Sequence, residues 1–197
     1  MRLLTKRVYI IVSASDTLPA KLIRHITRAE YNHSSISFDD DLQTFYSFGR
    51  KHMWTPLIGG FVEETPNTGV FALYPNSRAC VLSIETDEEK YNAAKGYVEE
   101  MYKNRRKHKY NYIGVCLAVL HKSFKRKRHF YCSEFVSDVL LRFGIIKEGS
   151  LGKIVKPTDF FFLENSRIIY RGLMSDLSTE PSRGFVFNYS KNKRAKV

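Results

Sequence analysis

The residue pattern predicts an α+β fold in which an antiparallel sheet packs against helices. Three observations carry that expectation. Runs of β-branched and aromatic residues crowd the chain up to Glu85, helical periodicity takes over from Thr86 to Phe143, and polar turns divide the strand-like runs.

In chain order, Val8 to Ala14 reads as a buried strand because it is almost wholly β-branched or aromatic. Asp16 and Thr17 then offer a helix cap, with Pro19 near the first helical position. Leu18, Leu22, Ile23 and Ile26 are spaced for one apolar face of a helix ending near Glu30. His33 to Phe38 and Thr44 to Phe48 read as a hairpin around the polar turn Asp39-Asp40-Asp41. Pro56 to Gly60 reads as turn, and Gly69 to Tyr74 with Arg78 to Glu85 as two further strands around Pro75-Asn76.

Thr86 and Asp87 cap a helix whose apolar residues are Tyr91, Ala94, Tyr97, Val98 and Met101. Tyr110 to Leu120 reads as a buried helix, and Cys132 to Phe143 as a third, closed by Gly144. A short capped segment from Phe160 to Leu163 and a last strand over Ile168 to Gly172 complete one domain, residues 1–173. Residues 174–197 read as a loosely attached basic tail.

The 197 residues carry 32 basic against 20 acidic side chains, a formal charge of +12 that favours anionic partners. Ten of the basic residues lie in two clusters, Lys103 to Lys109 and Lys122 to Arg128, so an anionic surface contact through basic loops is expected. No apolar run approaches the roughly 18 residues of a membrane span, and no signal-peptide core is evident. Three cysteines without paired spacing fit a reducing compartment, which places the expectation in the cytoplasm. The histidines and cysteines lack close ligand spacing and no nucleotide-binding motif occurs, so no metal or cofactor is expected.

Cys132 opens a helix in His-Phe-Tyr-Cys-Ser-Glu-Phe-Val. Unpaired N–H groups and the helix dipole at such a position favour a thiolate. A nucleophilic thiol also needs a base, and His33 suits the role because it opens a strand whose Ser34, Ser35 and Ser37 leave space around an imidazole. His25 lies mid-helix, and His108, His121 and His129 sit in or beside basic runs, which leaves His52 as the reserve.

Tyr31-Asn32-His33-Ser34-Ser35-Ile36, followed about a hundred residues later by Tyr131-Cys132-Ser133-Glu134-Phe135-Val136, resembles the circularly permuted NlpC/P60 hydrolases. That group includes the YiiX-like proteins and the lecithin:retinol acyltransferase relatives. Lys156-Pro157-Thr158-Asp159 is similar to a segment that follows their cysteine helix, and the likeness spans about residues 8–165. The resemblance implies a permuted papain-like fold and a thiol hydrolase, peptidase, amidase or acyltransferase acting on a peptide, amide or lipid-like substrate through an acyl-enzyme at Cys132. It also implies a third polar residue on the strand after the histidine, where this chain has Ser47, with Gln43 as a substitute. Tyr31, Trp54 and Tyr110 are candidate substrate-binding residues, the first also as an oxyanion donor beside the backbone N–H of Cys132. The competing expectation is a catalytically inactive fold that binds anionic membrane or nucleic acid.

Overall fold

A computed structural model describes residues 5–14, 30–51 and 58–178. The described strands are β1 (Thr5–Ala14), β2 (His33–Ser37), β3 (Phe45–Arg50), β4 (Gly59–Glu64), β5 (Arg78–Asp87), β6 (Lys109–Tyr110), β7 (His129–Phe130) and β8 (Ser166–Leu173). They form one sheet in the order β7-β6-β4-β3-β2-β1-β5-β8, antiparallel except for the two-residue β6/β7 pair. The described helices are α1 (Gly69–Leu73), α2 (Glu88–Lys103), α3 (Tyr112–Val119) and α4 (Cys132–Arg142). An α+β fold with an antiparallel sheet is therefore present.

Strand alternation builds two cores on the two faces of the sheet. Val8, Ile10, Val12 and Ala14 of β1, with Cys80, Leu82 and Ile84 of β5, face α2 and α4. Tyr9, Ile11, Ala79 and Val81 point the other way, onto Leu42, Phe45 and Phe71. Residues Pro157–Phe162 form a 3-10 helix that begins with the Lys156 N–H donating to the Asp159 carboxylate at 2.8 Å. The 3-10 helix Met174–Ser178 closes the second core with Met174 and Leu177. Met174 and Leu177, in the stretch expected to be a loose tail, are therefore buried, and residues 179–197 lie outside the described residues. The helix expected after Asp16 falls mostly on residues 15–29, also outside them.

Three expectations need correction. Gly69 to Tyr74 contains a helical turn rather than a strand: the chain leaving β4 must cross β3, β2 and β1 to reach β5, and on that crossover it buries Phe71 while Gly69 adopts φ +59°. Gly59 to Glu64 is a strand, although its apolar content is only Phe61 and Val62 between glycines and glutamates. Helix α3 is helical as expected but not buried, with Ile113 51% exposed.

Candidate active site

The sheet loosens where the chemistry gathers. β2 and β3 register only at Ile36↔Tyr46, so they part toward His33. There the Ser47 hydroxyl donates to the Ser34 carbonyl at 2.7 Å, a side chain standing in for a ladder bond. Helix α4 packs across these strands through Phe135, whose ring centroid lies 5.3 Å from that of Phe48 and 5.2 Å from that of Phe61. Its first residue, Cys132, meets His33 at the gap, near enough for each side chain to shift the other's protonation. The Tyr131 N–H donates to the Glu134 carboxylate at 3.3 Å, closing the first turn, and the Ser133 hydroxyl donates to the Val155 carbonyl at 2.6 Å.

On its other side the imidazole meets Glu64, the last residue of β4. Nε2 lies 3.0 Å from each carboxylate oxygen, and the Ser35 hydroxyl donates to Oε2 at 2.6 Å. With Nε2 occupied, Nδ1 is the nitrogen left for the thiol. Gly49 lies against both groups: a Cβ there would sit at ordinary contact distance, 3.5 Å from Glu64 Oε1 and 3.8 Å from His33 Cε1. Little of the triad is exposed: 7% of Cys132, and 17% and 16% of the His33 and Glu64 side chains.

Burial is the largest influence on all three groups, and for each it favours the neutral form. It is outweighed every time. The Glu64 charge and the hydrogen bonds to Cys132 and Glu64 hold the His33 pKa well above the ordinary imidazole value. The hydrogen bond and charge of His33, with the backbone N–H groups of Ser34 and Ser133, bring the Cys132 thiol below its usual value. Glu64 is likewise held low by His33 and by the Ser35 hydroxyl. Together these shifts favour a carboxylate-imidazolium-thiolate chain.

Cys132 and His33, chosen from the sequence, come together. Ser47 does not join them, because its hydroxyl is fully buried and engaged with Ser34; Glu64 takes the position expected of it. Gln43 hydrogen-bonds the Asp41 and Leu177 carbonyls instead. Tyr31 is a core residue, 2% exposed and 5.5 Å from the Phe161 ring, rather than a cleft wall. Tyr110 pairs with Phe130, two residues before Cys132; burial and then the Cys132 charge push its phenol pKa well up, and its ring centroid is 4.7 Å from that of Tyr112. Trp54 and His52 lie outside the described residues. Ser47→Ala is expected to leave Cys132 reactivity unchanged while costing about 1–3 kcal/mol of stability through the orphaned Ser34 carbonyl. Denaturant titration alongside thiol labelling checks both halves.

Comparison with family models, with curated proteins and with solved structures yields no match.

Proposed function

We propose that the chain is a cysteine-dependent hydrolase or acyltransferase of the permuted NlpC/P60 type, acting on an amide, ester or thioester. The observation that carries this reading is the Glu64-His33-Cys132 grouping, in which one imidazole hydrogen-bonds a carboxylate and lies beside a thiol at a helix start. The Cys132 thiolate attacks the carbonyl carbon, and the negative charge gathering on its oxygen is met by the Cys132 backbone N–H. His33, as imidazolium, gives its proton to the leaving amine, alcohol or thiol. Neutral His33 then takes a proton from water or another acceptor, which attacks the acyl-cysteine and releases the thiolate. Glu64 holds the ring in place and offsets its charge throughout. The inactive-module alternative drew its support from the lack of a charged third residue at Ser47, a lack that Glu64 removes.

Alkylation by iodoacetamide tests the reading, because the other two cysteines bracket the accessibility range: Cys80 is buried and Cys116 exposed. At neutral pH, Cys132 is expected to react faster than both, despite being far less accessible than Cys116, and to slow when His33 becomes Ala. Fast alkylation should persist as pH falls below the usual thiol value, ending at the lowered Cys132 pKa. Preferential labelling of Cys116, with Cys132 indifferent to His33, would rule out the thiolate mechanism.

A further inference from the structure

Helix α3 contains no charged residue, and it is not covered. Tyr112 and Ile113 are 38% and 51% exposed, Leu120 just beyond the helix is 64% exposed, and Phe124 is 37% exposed. A soluble surface rarely presents so many large apolar side chains on one short segment. Both flanks of this segment are basic. Arg105, Arg106, Lys107 and Lys109 precede it and Lys122 and Lys125 to Arg128 follow it, all exposed.

The two flanks converge in space. The Lys109 N–H donates to the Arg128 carbonyl at 2.9 Å, and β6 pairs with β7. Asn111, 1% exposed, ties the segment together: its Oδ1 accepts from the Gly114 N–H and its Nδ2 donates to the Phe124 carbonyl at 2.9 Å. His108, within the first flank, has its pKa lowered by burial and then by Arg128, Lys107 and Lys51, in keeping with the approach of the two flanks through β6 and β7. Among the described residues, no ion pair joins any of the flanking cations to a carboxylate.

We infer that α3 and its two basic flanks form a docking surface for an anionic lipid membrane, with Ile113 and Leu120 entering the interface and the lysines and arginines meeting headgroup phosphates. A polyanion such as nucleic acid would satisfy the cations but leave the aliphatic side chains in water. A bilayer interface satisfies both at once. Tyr110, at the start of this segment, pairs in the sheet with Phe130, two residues before Cys132, so docking brings the candidate active site toward the lipid surface. The surface itself stands apart from catalysis, and its test uses a chain without the thiol.

The full chain carrying Cys132→Ala is sedimented with phosphatidylcholine vesicles, with and without phosphatidylglycerol, over a series of salt concentrations. Strong partitioning only onto the anionic vesicles, weakening with salt, is expected. Replacing Lys125, Arg126 and Lys127 with Gln should weaken it about a hundredfold, and Ile113→Asp should weaken it by about tenfold or more. Ile113 is half exposed, so its substitution should leave the circular dichroism spectrum unchanged. No binding at low salt, equal binding to neutral vesicles, or binding indifferent to Ile113→Asp would each overturn the inference. Competition by RNA that survives Ile113→Asp would assign the surface to nucleic acid instead.

Discussion

Glu64→Gln is expected to slow Cys132 alkylation at neutral pH on the order of tenfold or more and substrate turnover by about 100-fold or more, and to lower thermal stability, because the Glu64 carboxylate, held below its ordinary value, contributes stability at that pH. Glutamine keeps the shape of the side chain and can still accept a hydrogen bond from Nε2, so ring placement largely survives. What goes is the negative charge 3.0 Å from the imidazole. After burial, that charge is the largest influence on His33, and it is the one that keeps the ring protonated against burial. Without it, the proton on His33 is no longer held, and the imidazolium that stabilises the Cys132 thiolate is lost. The sign with pH follows. His33, whose folded pKa is raised, contributes stability below its unfolded value, and that contribution fades as pH rises through the folded pKa. Cys132 and Glu64, both lowered, contribute above their unfolded values and lose that contribution as pH falls through the folded ones. The Gln variant should therefore show a narrower pH range of fast alkylation and a His33 NMR titration displaced downward. An unchanged His33 titration in a folded variant would reduce Glu64 to a packing role.

Glu64 escaped sequence reading for a physical reason. β4 is Gly-Gly-Phe-Val-Glu-Glu, and the signals that reveal a strand, alternation and β-branched content, need more than two apolar residues to register. Yet pairing with β3 from Phe45↔Glu64 to Arg50↔Gly59 makes it a regular strand. Its glycines admit neighbours instead of supplying contacts: a Cβ on Gly59 would lie 2.7 Å from the Tyr112 hydroxyl and 2.8 Å from Tyr110 Cβ. The hairpin of β2 and β3 was legible because Ile36, Phe38, Tyr46 and Phe48 fall at alternate positions on either side of the polar turn Asp39-Asp40-Asp41, and the cysteine helix because its periodicity is strong. Ser47 misled because adjacency in sequence stood in for adjacency across the sheet. The imidazole looks past β3, over Gly49, to a residue two strands away. Helix α3 misled in another way. An apolar run announces a helix but not what covers it, and here Tyr112, Ile113 and Leu120 face outward between two basic loops.

Phe135→Ala is expected to have the largest effect on the folded state, a loss of about 3–5 kcal/mol, measured by denaturant unfolding. Phe135 is fully buried three residues into α4 from Cys132, with Phe48 of β3, Phe61 of β4 and Phe130 of β7 around it at centroid distances of 5.3, 5.2 and 6.4 Å. These rings fasten the cysteine helix to the strands that frame His33 and Glu64. Removing one leaves a cavity at the joint between Cys132 and His33. Because so large a loss can unfold the chain, Phe135→Leu separates the two consequences: it costs roughly 1–2 kcal/mol and should leave a folded protein. If Phe135 only adds stability, the Leu variant should alkylate at Cys132 as fast as the parent. If the ring sets the pitch of the first turn, alkylation should slow while that of Cys116 stays the same, since Cys116 lies on α3, outside this cluster. The second outcome is expected, because α4 meets β2 and β3 where their ladder has ended and the Ser47 to Ser34 bond stands in for it.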